Sequence, residues 1–460
     1  MSNSVGPAKE FLVSALTANS PETPDPDNFF KERFASSSYK VAEVPLNALA
    51  EWRIDDRLIH SSGRFFTVEG LSIITNFGPT PQWSQPIIVQ PDIGILGILV
   101  KKINGVYHFL MQVKMEPGNT QLVQYAATVQ ATQSNYQRIH GGRATPYLEY
   151  FLRATRGGIL VDRLLSEHAS WYLHKRNRNM IVEIPPDEDI PLRDDFTWLT
   201  LGQVRHQLAN GNVNMNARTV LACISYAAGD DMRAGRDLDD EFHDRVIMSH
   251  ISRRSDAAVS AAMTWLIDQK EMFTLDVRRI GLLEMDGWVS DEESIRHCDG
   301  SYFRILGLSV EATSREVGSW TQPMLEPVPG NLVAFICQVR SGVLQFLVQA
   351  MVQPGSTDRL ELAATIQLAP GYIQVAQELP PLAEYLTSTA SRVRLKSVQS
   401  EDGGRFYRAD TTHLVIEIPE DHVVEAPHNY RWMTLGLLNR LTHFGYYVNV
   451  EARSLMACLL

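Results

Sequence analysis

VNMNARTVLAC (Val213–Cys223) and VNVEARSLMAC (Val448–Cys458) are one phrase written twice, 235 positions apart. Working outward, FTWLTLG (Phe196–Gly202) pairs with YRWMTLG (Tyr430–Gly436), and VEIPP (Val182–Pro186) with IEIPE (Ile416–Glu420). AATVQ (Ala126–Gln130) pairs with AATIQ (Ala363–Gln367), Trp83 with Trp320, and Trp52 with Trp288. The offset drifts only between 234 and 237 along nearly the whole chain, so the sequence encodes a duplicated unit. The copies span residues 28–224 and 256–460. A flexible leader (1–27) precedes them, and a connector (225–255) with the acidic, small-residue stretch Ala228–Asp244 joins them. Matched Gly and Pro mark turns and matched apolar positions mark cores. Matched polar pairs such as Gln85/Gln322, Gln112/Gln349, Thr128/Thr365 and Gln130/Gln367 call for a reason beyond exposure.

Each copy opens on strands. FFTVEGLSI, PIIVQP, ILGILVKK and VYHFLMQVKM have strand length, are rich in β-branched and aromatic residues, and are bounded by Gly, Pro or Asn. Ile-Asn-Gly at 103–105 is a hairpin signal, repeated by Ser-Gly at 341–342. Helices follow at Pro146–Arg153, after Trp198 as far as Gly211, and over Ser255–Met272, which opens the second copy. The predicted fold class is α+β, a mixed twisted sheet flanked by helices, in tandem repeat.

The 460 residues are 44% hydrophobic and 21% charged, a globular balance, with a formal charge of −11. That excludes a broad basic face, so no nucleic acid is expected as a partner. The best apolar run, Ile93–Val100, stops at two lysines, far short of a membrane span. Four cysteines with no C-x-x-C pair and no secretory leader read as a cytoplasmic protein. Cys223 and Cys458 fall in apolar runs and read as packing residues.

No G-x-G-x-x-G, P-loop, G-x-S-x-G or H-E-x-x-H is present, and the His and Cys spacings form no zinc set. No cofactor and no metal ligand set are expected. What stands out is the run Met115–Arg143, dense in amides and hydroxyls, among them Asn119, Gln121, Gln124, Thr128, Gln130, Ser134 and Asn135. Such side chains suit a polyhydroxylated ligand as well as a polar surface loop. Further on, His174, Lys175, Arg176 and Arg178 in one copy, and Arg405 and Arg408 around Phe406 and Tyr407 in the other, cluster cations beside aromatics. That combination fits a diphosphate next to a stacked base, or a solvated face.

VQATQSNYQRIHGGRATPYLEYF, SEHASWYLHKRNRNMIVEIP, WLTLGQV, VNMNARTVLAC, SEDGGRFYRA and YVNVEARSLMAC together resemble the NDP-hexose 2,3-dehydratases of deoxysugar biosynthesis, over nearly the entire chain. The resemblance implies a tandem of two Nudix-like domains in a homodimer, with a nucleotide-sugar pocket in each half and one of the two productive. It implies loss of water across C2–C3 of thymidine-diphospho-4-keto-6-deoxyglucose, giving a 3,4-diketo-2,6-dideoxy sugar for antibiotic pathways. The metal-binding Nudix box is absent from both halves, so pyrophosphatase chemistry is not expected. Ser134–Tyr136 (SNY) gives way to APGY (Ala369–Tyr372) in the second copy, and Ala409–His413 (ADTTH) replaces the basic stretch. Both changes favour the first pocket.

Such a reaction needs a base, an acid and an oxyanion donor. Tyr136, His140 and Glu167 are the catalytic candidates, with Glu116 an alternative base and Arg138 an alternative oxyanion donor. The substrate-binding candidates in the first half are Trp52, Asn119, Ser134, Asn135, Tyr136, Gln137, Arg138, Trp171, Lys175, Arg176 and Arg178. In the second half they are Trp288, Arg340, Thr357, Arg359, Tyr372, Gly403, Gly404, Arg405 and Tyr407. Two other readings compete: a non-catalytic nucleotide-sugar binding protein, and a metal-dependent Nudix-like hydrolase.

Overall fold

A computed structural model describes residues 5–132, 145–154, 158–228, 241–252, 255–312, 317–368 and 379–460. The four strand segments read from the first copy fall on strands Thr67–Thr75, Gln82–Val89, Gly94–Ile103 and Val106–Met115. The run ILGILV shows no polar alternation because both its faces are covered. Leu96, Ile98 and Val100 enter the main core, while Ile95 and Leu99 enter a second one beneath the helix Leu148–Leu152. Asn104 and Gly105, at φ 49° and 82°, turn the chain into the next strand, and Ser341 and Gly342 repeat the turn at 50° and 75°.

Each half builds a seven-stranded mixed sheet. In the first, the order is Ile159–Ser166, Arg176–Glu183, Gly94–Ile103, Val106–Met115, Phe196–Leu199, with two short strands added. Arg176–Glu183 runs parallel to Gly94–Ile103, and Asp410–Glu417 runs parallel to Asn331–Arg340 in the second half. The α+β tandem repeat is therefore present in the structure.

The halves are not side by side but interleaved. Each also forms a five-stranded sheet, and one strand of each such sheet comes from the other half. Tyr39–Val44 pairs antiparallel with Phe303–Ala312, and Leu275–Ile280 with Thr67–Thr75. Glycine is required where the visiting strand arrives: a Cβ on Gly70 would sit 2.9 Å from the Gly281 carbonyl, and one on Gly307 2.6 Å from that of Val44.

The repeated phrase explains the joint. Asn214 and Asn449 cap the helices Met215–Leu221 and Val450–Ala457, accepting from the amides of Ala217 and Ala452. One turn later Arg218 and Arg453, both fully buried, reach across the pseudo-twofold axis. Arg218 donates to Ser454 Oγ (2.6 Å) and the Ser400 carbonyl (2.8 Å), and Arg453 to Thr219 Oγ1 (3.2 Å) and the Ser166 carbonyl.

Matched polar residues turn out to hold this frame. Thr128 and Thr365 each donate to a carbonyl of one strand (Leu110, Leu347) and accept an amide of the next (Leu99, Ile336). Gln85 and Gln322 each bond an indole two residues back and clamp a crossing loop, at the Ser170 and Gly404 carbonyls respectively.

Two segments differ from the sequence reading. The stretch taken as a flexible leader holds the helix Val5–Leu16, and the connector holds Glu241–Ile251. Both pack inward, through Ala8, Phe11, Leu12 and Ala15 in the first and Phe242, Val246 and Ile247 in the second. Ser14 donates to the Tyr107 carbonyl (2.6 Å) and accepts from Leu201 N (2.9 Å). Ser249 does the same with Leu344 and Leu435 (2.7 and 3.0 Å). The repeated structural unit thus begins one helix earlier than the sequence match.

Candidate active site

Interleaving creates two clefts, each walled by both halves. The first, about 530 Å³, lies between the small and large sheets of the first half and is closed by the second half. Its wall includes Trp52, His60, Phe65 and Phe66 and, from the second half, Trp320, Thr321 and Gln322. Trp52 lies 5.0 Å from the Phe66 ring and edge-on to His60 at 5.3 Å. Arg405, also from the second half, lays its guanidinium over Phe66 at 4.4 Å and is aimed by Gln90 Oε1 (3.1 Å) and the Gly404 carbonyl (2.7 Å). An arginine so held, next to aromatic faces, can grip a diphosphate while a base stacks.

Lys114, Glu116, Gln130, Lys175, Asn177 and Asn216 also line the cleft, and the Lys175 and Arg405 charges are close enough to interact. Lys114 and Glu116 stand two residues apart where the strand Val106–Met115 ends, so the strand's alternation puts both on the same face. The Glu116 carboxylate accepts from Gln130 Nε2 (3.2 Å) and Asn119 Nδ2 (3.3 Å). Lys175 donates to Asp92, at its carbonyl and at Oδ1 (3.2 Å). Burial pushes the Lys175 ammonium below its usual range. Burial also opposes ionisation of Asp92, yet the Lys175 charge and hydrogen bonds from Gln90 and Lys175 hold its carboxyl low.

Glu167 sits one bond behind the wall. It is buried and accepts from Asn177 Nδ2 (2.8 Å), while Asn177 Oδ1 accepts the Gly94 amide (3.0 Å). Burial raises its carboxyl above the usual range. Tyr172 lines the cleft and donates to Asp402 Oδ2 (2.7 Å); burial lifts its phenol well above the usual value. On the axis, His168 Nε2 lies 3.1 Å from Glu401 Oε2.

The second cleft, about 640 Å³, is the positional counterpart. Trp288 lies 5.0 Å from Phe303 and 5.4 Å from His297, and Trp83, Gln85, Ser170 and Trp171 cross over from the first half. Where the first cleft has Arg405 over Phe66 and Gln90 to aim it, the repeat places Trp171 and Pro327. At the positions of Lys114, Glu116 and Lys175 stand Met351, Gln353 and Ala409.

Among the sequence candidates, the structure brings Trp52, Lys175, Gly404 and Arg405 together on the first cleft and puts Trp171 and Trp288 on the second. Asn119 and Gly403 meet just behind Glu116, where a Cβ on Gly403 would sit 2.1 Å from Asn119 Oδ1. Tyr407 is buried beneath Arg408. Arg176 bonds the Tyr446 hydroxyl, and Arg178 makes a two-pronged pair with Asp162 at 2.7 Å. Arg340, Thr357 and Arg359 are exposed, Arg340 stacking on Trp432 and Arg359 bonding the Lys270 carbonyl. Ser134, Asn135, Tyr136, Gln137, Arg138, His140 and Tyr372 lie outside the described residues.

Sequence reading passed over Lys114, Asn216, Phe66, Gln90, Tyr172 and Asp402. The usable signal was the duplication itself, because Lys114 aligns with a methionine and Tyr172 with Phe406.

A model of the NDP-hexose 2,3-dehydratase family matches the chain twice, over residues 24–224 and 259–459. The chain belongs to that family. It is 42% identical over 463 residues to the dTDP-4-dehydro-6-deoxy-alpha-D-glucopyranose 2,3-dehydratase of Saccharopolyspora spinosa, covering 98% of this chain and 94% of that one. Proteins of the same description from Amycolatopsis orientalis and Streptomyces violaceoruber are each 40% identical, covering 98% and 94% of this chain and 93% and 95% of their own.

Proposed function

We propose that the chain is a hydro-lyase that removes water across C2–C3 of dTDP-4-keto-6-deoxy-D-glucose, giving dTDP-3,4-diketo-2,6-dideoxy-D-glucose for deoxysugar biosynthesis. The observation that carries this reading is the first cleft, whose wall combines aromatic rings and Arg405 with an ionisable pair on the sheet. Aromatic rings with Arg405 receive the thymidine diphosphate, and the ionisable pair on the sheet receives the hexose.

The C4 ketone acidifies the C3 hydrogen, so a base takes that proton and charge gathers on the C4 oxygen. The C2–O bond then breaks, and the departing hydroxyl takes up a proton and leaves as water. The resulting C3 enol passes to the ketone as C2 is protonated. The net change is loss of one water with no change in overall oxidation level, for which general acid–base chemistry and an oxyanion donor suffice. Tyr136, Arg138 and His140, on the segment that follows Thr132 at the cleft wall, remain candidates for contact with the sugar.

The seven-stranded mixed sheet with its single parallel pair supports a Nudix-like description of each half. We also assign the protein to the cytoplasm as a homodimer, without nucleic acid as a partner, in a pathway of antibiotic sugars. Among the described residues no helix is long and apolar enough to cross a membrane. The test is incubation with the 4-keto nucleotide sugar in the presence of a chelator, followed by mass measurement. Loss of one water supports the lyase. Release of thymidine monophosphate, or binding without conversion, overturns it. Light scattering tests the dimer.

A further inference from the structure

The duplication provides an internal control for the Lys114–Glu116 part of the first cleft. The polar frame there is kept in both halves: Asn214 Nδ2 donates to Gln130 Oε1 (3.1 Å), and Asn449 Nδ2 to Gln367 Oε1 (2.8 Å). Within that shared frame, Lys114 and Glu116 become Met351 and Gln353. Gln353 is tied into its frame, donating to Ser170 Oγ (2.9 Å) and Glu451 Oε1 (3.2 Å). The second half thus carries no cation at this place, and its carboxylate, Glu451, stands at the position of Asn216 and is bonded by Gln353, off the strand position that Glu116 holds in the first half. Both halves bury a carboxylate here at a desolvation cost, but only the first sets it two residues from a half-buried ammonium on the cleft wall. Function accounts for keeping that pair.

We infer that Glu116 is the base that removes the C3 proton and that Lys114 donates to the C4 oxygen. This rests on the dehydratase reading. The C3–H bond breaks and an O–H bond forms on Glu116. The electron pair moves into C3=C4, and the charge left on the C4 oxygen faces the ammonium. When the C4 carbonyl re-forms, C2=C3 forms and the C2–O bond breaks. Protonated Glu116 gives its proton to the leaving hydroxyl, which departs as water and restores the carboxylate. Lys114 keeps its protons throughout. The amides of Gln130 and Asn119 hold the carboxylate in place for both transfers.

The test uses the full chain with E116Q and K114M, each the residue the second half already carries. Three quantities are read: water loss, exchange of the C3 hydrogen in deuterium oxide, and thymidine diphosphate binding. E116Q is expected to lose kcat by about a thousandfold, within the usual range for a missing general base. It should lose C3 exchange with it and bind thymidine diphosphate within about threefold of the parent, which also reports an intact fold. K114M is expected to lose kcat and C3 exchange together by about a hundredfold, as for a missing oxyanion donor. E116D, which keeps the carboxylate, should recover part of the exchange.

Either variant retaining kcat within tenfold overturns the assignment. So does E116Q that exchanges C3 normally, or a defect confined to KM or to thymidine diphosphate binding. Failure of the parent protein itself to release water from this substrate rejects the dehydratase reading instead, so the two failures are told apart.

Discussion

The two clefts share one architecture and differ in chemistry. Trp52–Phe66 and Trp288–Phe303 are both 5.0 Å apart, at 49° and 47°, and the tryptophan–histidine contacts are 5.3 and 5.4 Å. Yet the first cleft gathers Arg405, Lys175, Lys114 and Glu116 where the second has Trp171, Ala409, Met351 and Gln353 in the repeat. Duplication preserved the aromatic geometry and let the charges diverge. A single chain therefore lets what both halves keep be compared with what only one half carries.

The frame should be the most sensitive part. Arg218→Met leaves the Ser400 and Val213 carbonyls without their buried donor and takes the guanidinium from beside the Glu401 carboxylate, 3.7 Å away. The expected loss is about 3–5 kcal/mol, read as a fall in the denaturant midpoint. Arg453→Met should cost a similar amount. A large asymmetry between the two would break the comparison at its axis.

His168 comes next. Burial opposes its charge, but Glu401 and other carboxylates raise its pKa from 6.5 to about 9. Because the folded value lies above the unfolded one, the stabilisation is complete below about pH 6.5. It declines as the pH rises and is gone above about 9. Glu401 shifts the other way, so its contribution holds above its ordinary 4.5 and is lost as the pH falls toward about 2. Unfolding free energy measured from pH 6 to 9.5 should fall in the parent and stay flatter in His168→Gln.

The smallest effect is expected for Tyr172→Phe. It removes the bond to Asp402, but Phe406 already occupies the equivalent place across the axis. About 1 kcal/mol, or a few-fold in kcat/KM, should be lost. A hundredfold loss would give Tyr172 a role of its own.

Much of the frame could be read from residues. Asn104-Gly105 marks a hairpin, the apolar spacing over Ser255–Met272 marks a helix, and the apolar run ILGILV marks a strand, all of which the structure contains. Strand exchange could not be read. YKVAEV and LDVRRI alternate in the same way whichever sheet they join, and the deciding contacts, at Gly307 and Gly70, lie far away in sequence. The helices Val5–Leu16 and Glu241–Ile251 were obscured by their Pro-rich and acidic neighbours, although Ser14 and Ser249 serve identical bonds. In the site, Arg405 stood out because it stands directly beside Phe406 and Tyr407. Lys114 did not, because VYHFLMQVKM reads as a core strand and its one cleft-facing cation looks like an edge residue. Glu167 attracts notice by sequence, yet it lies behind Asn177, a depth that spacing does not report.

The most direct test of the division between the clefts is a matched pair, Trp52→Ala and Trp288→Ala, assayed for kcat/KM on the 4-keto nucleotide sugar. The rings sit in equivalent contacts, so their structural costs should match. Loss of base stacking, worth about 1–3 kcal/mol, should fall on one of them alone. The account predicts a tenfold to hundredfold loss for Trp52→Ala and less than about threefold for Trp288→Ala. Equal losses, or a larger one for Trp288→Ala, would contradict it.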